Sequence, residues 1–160
     1  SLYNDLTVQE NIRLYASIYG LSKQETDERS TQLLSRLNFL SERNTLVGSL
    51  PLGWKQKLSF AVATIHRPEI VFLDEPTGGV DPITRRQFWE LIYEAAADGT
   101  TIFVTTHYMD EAEYCDRVSI MVDGHIKALD TPRQLKQQFG VETMYDVFLR
   151  LAREAKRGDN

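Results

Sequence analysis

Two short apolar runs, "EIVFLDE" at 69–75 and "TTIFVTTH" at 100–107, restrict what this chain can fold into more than any other feature. Each is the pattern of a strand buried on both faces. Between them, "PITRRQFWELIYEAAA" carries proline at its first helical position and ends at the Asp98-Gly99 turn, which predicts a helix over 82–97. Strand, helix, strand in that order is a crossover unit whose right-handed path makes the strands parallel. In open parallel sheets, ligands bind outside the carboxyl ends of the strands. "FLDE" sets Asp74 and Glu75 at that rim and "VTTH" sets His107 at the same rim, so the three are expected to converge.

Beyond this unit, "RVSIMV" predicts a third parallel strand, and Asp123-Gly124 is a hairpin turn into "HIKALD". Helices are predicted over 132–139 and 142–156, and the closing "KRGDN" reads as a frayed end. Before residue 68 the period is helical. Thr7 and Glu10 form a capping signal before Ile12, Tyr15, Ala16 and Tyr19, with Gly20 as a stop. Ser22 and Glu25 open a second helix with Leu33, Leu34 and Leu37 as its stripe, and residues 41–50 read as a linker. A third helix over 53–66 turns Leu58, Val62 and Ile65 inward, and Pro68 closes it. Fewer than half of the residues belong to the α/β pattern, which reads as the second half of a doubly wound domain.

Composition excludes several classes. The chain has 160 residues, which suits one domain with a substantial core. A net charge of −5 and a pI near 5.2 oppose bulk attraction to nucleic acid or an anionic membrane, so no nucleic-acid partner is expected. The single Cys115 excludes an internal disulfide framework and reads as a small buried residue. No signal peptide pattern and no apolar run of spanning length occur, so the expectation is a cytosolic chain whose membrane link would run through a partner.

"GSLPLGWKQK" at 48–57 is the near-miss of a phosphate loop. A P-loop reads G-x-x-x-x-G-K-[ST], so that backbone N–H groups cradle phosphates and a lysine reaches them. Gly48 and Gly53 have the spacing, but Trp54 takes the lysine's place, Lys55 arrives one residue late and Gln56 replaces the hydroxyl. Pro51 also removes one N–H from the cradle. No other glycine pair in the chain offers the motif.

"IVFLDEPTGGVDPITRRQFWELI", "GTTIFVTTHYMDEAEYCDRVSIMVDGHIKALDTPRQL" and "MYDVFLRLA" resemble the nucleotide-binding domain of ABC transporters, most closely the ATPases of ABC-2-type exporters. The resemblance covers nearly the whole chain. It implies an incomplete P-loop NTPase (ABC ATPase) fold of the α/β class, with a helical subdomain over 1–67 and the C-terminal half of the parallel-sheet core, with a small hairpin, over 68–160. Asp74 matches the Walker-B aspartate that holds Mg²⁺, Glu75 the catalytic glutamate, Asp81 the D-loop aspartate and His107 the switch histidine that contacts the γ-phosphate. "SLPLGWKQK" lies where the family's signature, commonly L-S-G-G-Q, precedes a helix. Leu50 and Gly53 match that pattern, and Lys55 and Gln56 continue in the family style. Pro51, Leu52 and Trp54 stand where serine, glycine and glutamine are usual.

The resemblance further implies ATP and Mg²⁺ as cofactors, a second ABC ATPase domain and a transmembrane permease as partners, and a cytoplasmic place peripheral to the membrane. Signature residues of the family face ATP held by the opposite subunit, so Leu50, Gly53, Trp54, Lys55 and Gln56 are candidate nucleotide-binding residues. The opening "SLYNDLTVQENI" resembles the segment following the family's Q-loop, which predicts that Walker A lies upstream and that this chain is inactive alone. A non-transport ABC ATPase acting on ribosomes or another soluble assembly, and a non-catalytic regulatory module, are the alternative readings.

Overall fold

Side-chain caps decide where the helices begin in the computed structural model, which describes residues 2–158 and the side chains of 2–153. At the start of α1 (Val8–Ile18), the Thr7 hydroxyl accepts the Glu10 N–H at 3.2 Å, and the Glu10 carboxylate accepts the Thr7 N–H at 2.8 Å. Ser22 and Glu25 form the same reciprocal pair at α2 (Lys23–Arg36). Each box satisfies donors that the first turn leaves open. Helix α3 (Leu52–Thr64) follows the linker, which holds a short 3₁₀ turn at Val47–Ser49.

These helices share one core. Ile12 and Ala16 from α1, Leu34 from α2, Leu58 and Val62 from α3, and Ile65 just beyond it are all buried. Fully burying one such aliphatic side chain stabilises by about 1.5–3 kcal/mol. Among the polar residues buried with this layer, Asn11 on α1 is completely buried. Its Oδ1 accepts the Tyr3 N–H at 2.8 Å, while Nδ2 donates to the carbonyls of Tyr3 and Thr7 at 3.0 Å each. One side chain thereby ties the opening loop to α1, because buried backbone groups need partners.

Strand β1 (Ile70–Asp74), helix α4 (Pro82–Ala97) and strand β2 (Thr101–Thr105) form the expected crossover. β1 and β2 pair in parallel, from Ile70↔Thr101 to Asp74↔Thr105. The ladder departs from expectation in two respects. Its faces are unequal: Val71 is buried, but Ile70, Phe72 and Phe103 are exposed, Phe72 at 76%. Phe72 and Phe103 stack on each other on that open face, ring centroids 5.2 Å apart. Helix α4 covers only one side of a two-residue alternation, so continuous apolarity did not mean burial on both faces. The third strand also does not extend the ladder: β3 (Val118–Val122) pairs antiparallel with β4 (His125–Asp130) in a separate two-stranded sheet.

The chain divides into two compact units, residues 1–105 and 106–160. The second packs its hairpin against α5 (Pro132–Phe139) and α6 (Met144–Gly158) around Ile120, Leu135, Met144, Val147 and Leu151. Gly140 ends α5 in the left-handed conformation at φ 58, where glycine carries no Cβ penalty. The end of "KRGDN" at 159–160 lies outside the described residues. Among the described residues, no helix is long and apolar enough to cross a membrane.

Asn11→Ala would strand the buried groups that Asn11 satisfies, so urea denaturation should show a loss of about 2–3 kcal/mol. Asn11→Asp should not recover it, since a carboxylate cannot donate to the Tyr3 and Thr7 carbonyls.

Candidate active site

The carboxyl end of the parallel ladder carries two adjacent acidic residues fixed by one threonine. Register places Thr105 opposite Asp74, and its hydroxyl donates to Asp74 Oδ1. The same residue receives the Glu75 N–H, at 3.0 Å on its carbonyl and 3.2 Å on its hydroxyl. Past the last ladder pair the backbone reverses sharply, and Glu75 adopts φ 43, a left-handed conformation that costs a side chain with a Cβ about 1–3 kcal/mol. The Gly78 N–H closes the turn on the Glu75 carbonyl at 3.0 Å.

The turn runs through Gly79, at φ 76, into the cap of α4. Asp81 Oδ1 accepts the N–H groups of Ile83 and Thr84 at 3.0 Å, and Oδ2 accepts the Thr84 hydroxyl at 2.6 Å. These bonds, the Thr84 hydroxyl first, hold the Asp81 carboxyl below the ordinary aspartate range.

The first turn of α3 stands against this cap. Gly53 is buried, and a Cβ there would overlap the Thr84 methyl. Gln56 Nε2 donates to the Gly78 carbonyl at 3.0 Å. Trp54 stacks flat on Phe39, centroids 4.6 Å apart, Leu50 is buried in the helical core, and Lys55 Nζ donates to the Gly48 carbonyl at 2.9 Å. The side chains of this segment thus serve its own packing, and what α3 offers outward is backbone: Pro51 supplies no side-chain cap. Gly48 is no phosphate cradle, since its N–H donates to the Asn4 carbonyl at 2.9 Å.

His107 lies at the start of the second unit, directly after Thr106, in a turn braced by a buried carboxylate. The Thr106 hydroxyl accepts the Tyr108 N–H at 3.0 Å and donates to Glu111 Oε2 at 2.6 Å, with Glu111 completely buried. Cys115 Sγ lies 3.8 Å from the Glu111 carbonyl. Burial, then the Glu111 and Asp116 carboxylates, push its thiol up, so it stays protonated and unreactive at neutral pH. The expected meeting of His107 with Asp74 and Glu75 crosses the division between the units and belongs to the proposal below.

Comparison with known proteins decides the family. Residues 1–78 match the family described as ABC transporter. The probable multidrug ABC transporter ATP-binding protein YbhF of Escherichia coli is 42% identical over 156 residues, covering 94% of this chain and 27% of that protein. A fluoroquinolones export ATP-binding protein of Mycobacterium tuberculosis is 44% identical over 135 residues, 84% of this chain and 44% of its own length. A solved structure of the ATP-binding subunit of an ABC transporter superposes with a TM-score of 0.82 at 32% identity, over 94% of this chain and 64% of that one.

The chain belongs to the ABC transporter family. It spans about a quarter of the length of one of these curated relatives and somewhat under half of the other. The ABC family implies ATP and Mg²⁺, and the residues present fit the two differently. Asp74, exposed at a strand end, is a hard oxygen ligand of the kind Mg²⁺ takes in ones and twos beside substrate phosphates. Among the described residues no cluster of three or more His, Cys, Asp or Glu gathers into an all-protein cage, which Mg²⁺ does not require. For the triphosphate, the glycine pair with P-loop spacing in this sequence supplies no cradle at Gly48, whose N–H is given to the Asn4 carbonyl.

Sequence reasoning missed Thr105, Thr84, Thr106 and Glu111. Aligning the two ladder strands end to end would have found Thr105, since it pairs with Asp74. Nothing in "MDEAEYC" separates the buried Glu111 from its neighbours.

Two outcomes test this geometry. Because Glu75 sits at positive φ, Glu75→Gly should stabilise the chain by about 0.5–1 kcal/mol in urea, whereas Glu75→Val should destabilise it. Asp81 has a depressed folded pKa, so its contribution is full above the ordinary aspartate value and is lost as pH falls below it. Asp81→Asn should therefore flatten the acid limb of a stability-against-pH profile and leave its slope near neutrality unchanged.

Proposed function

We propose that this chain is the signature-bearing and Walker-B-bearing part of the ATP-hydrolysing subunit of an ABC-2-type exporter. Strained Glu75 directly after Asp74, at the carboxyl end of a parallel strand, carries this reading. A left-handed glutamate persists where its side chain is needed, and a carboxylate beside a metal-holding aspartate can polarise water as a general base. In that role Asp74 would hold Mg²⁺, Glu75 would activate water, and His107 would steady the γ-phosphate. Asp81 and the first turn of α3, with Leu50, Gly53, Trp54, Lys55 and Gln56 shaping it, would face a second ATPase domain.

The open N-terminus of α3 supports its place against a partner's nucleotide, since unpaired N–H groups and the helix dipole attract phosphate. On this reading the helical part, 1–67, meets a membrane permease, and the part over 68–160 holds the catalytic residues, so the protein works at the cytoplasmic face of a membrane. Export is favoured over a soluble, non-transport role by the relatives named for multidrug transport and fluoroquinolone export. A regulatory module without turnover would have no use for the strain at Glu75.

Calorimetry should detect no Mg·ATP binding to the 160-residue chain at sub-millimolar concentration, since it carries no P-loop. In the complete ATPase, Glu75→Gln should accumulate ATP-bound dimers with hydrolysis lost. Full turnover by that variant would overturn the assignment of Glu75.

A further inference from the structure

Helices α3 and α4 meet along a seam that begins at their first turns. Gly53 faces Thr84, Lys57 Nζ donates to Gln87 Oε1, and Phe60 meets Phe88 with ring centroids 5.5 Å apart. The pairs advance together along both helices, so the helices run parallel with their N-termini side by side. At the start of the seam there is no spare room. A Cβ on Gly53 would come closer than 3.0 Å to Thr84 Cγ2, and within 3.4 Å of its Cβ and Oγ1.

Thr84 cannot turn away from this contact. Its N–H and its hydroxyl are both given to the Asp81 carboxylate, at 3.0 and 2.6 Å. A β-branched side chain has one χ1, so committing the hydroxyl to Asp81 commits the methyl to Gly53. One further contact ties this end of α3 to the glycine turn: Gln56 donates to the Gly78 carbonyl.

We propose that Thr84 is a positioning residue, a rigid spacer whose hydroxyl follows Asp81 and whose methyl bears on Gly53. A shift of the Asp81 carboxylate moves the Thr84 side chain, and the first turn of α3 moves with it because no gap absorbs the displacement. The catalytic consequence rests on the ATPase reading above: Asp81 and the open end of α3 both face the partner domain, and Thr84 makes them one body. Gly53 is then required by its own chain, for the seam, rather than for approach to a phosphate.

A double-mutant cycle tests this, because Thr84→Ser keeps the hydroxyl and deletes the methyl that Gly53→Ala would strike. Alanine is the better helix former, so any loss in Gly53→Ala reports the overlap and not propensity. In the 160-residue chain, Gly53→Ala should lower the urea midpoint, and Gly53→Ala/Thr84→Ser should recover most of the loss. Additive effects would overturn the contact. In the complete ATPase, Gly53→Ala should lower kcat about tenfold with little change in the KM for ATP, and the double variant should restore it. Rescue of stability without rescue of kcat overturns the positioning role. An unmutated complete protein that fails to hydrolyse ATP sinks the ATPase reading and the positioning role with it, and the stability cycle separates that result from a failure of the seam.

Discussion

Everything at the rim depends on Thr105. It is the last ladder partner of β1, and it holds two acidic residues at once: the Asp74 carboxylate through its hydroxyl, and the Glu75 N–H through its carbonyl and hydroxyl. A parallel ladder has evenly spaced, slanted bonds, so pairing one residue further along the strand fixes the place where the chain must leave it. The reversal at Glu75 follows, with its positive φ, and from that reversal come the glycine turn and the Asp81 cap. A register slip of one residue would turn Asp74 to the opposite face and put Thr105 out of reach.

Much of this was legible in the chain. Capping boxes at Thr7 and Ser22, proline at the starts of α4 and α5, and the Asp98-Gly99 turn mark boundaries that local chemistry alone determines, and the structure follows them. The motif order gave the family, which the comparisons bear out. What was not legible depends on neighbours. A continuous apolar run says that a strand can be buried, not which face has a cover, and Phe72 and Phe103 stack in the open. The Asp123-Gly124 turn did reveal the partner of β3, but "RVSIMV" suits a parallel or an antiparallel ladder equally, so the sequence could not show that β3 stays out of the parallel ladder.

The stretch proposed as the signature, 48–57, shows why motif and mechanism must be read separately. Its departures from the usual pattern fall at Pro51, Leu52 and Trp54, and two of them, Pro51 and Trp54, have a physical use in this chain. Pro51 starts the helix with the extended backbone of an N-cap but gives no side-chain oxygen. Leu52 stays half-exposed beside the glycine turn, and Trp54 stacks on Phe39. The serine hydroxyl that the family usually places here would have competed for the very N–H groups that Pro51 leaves open.

That difference sets the electrostatics of two adjacent helix ends. The N-termini of α3 and α4 lie side by side, and parallel dipoles repel unless negative charge is supplied. At α4 the chain supplies it, with Asp81 kept ionised by the bonds it accepts. Lys57, on the next turn of α3, adds positive charge. Burial lowers its pKa, and the attraction of Asp81 and then Glu90 opposes that effect. One carboxylate thus serves a dipole and a cation, while the uncapped end of α3 has no anion from its own side chains. Water can satisfy such an end, and in the proposed dimer a phosphate on the facing domain would do so with charge and acceptor oxygens together.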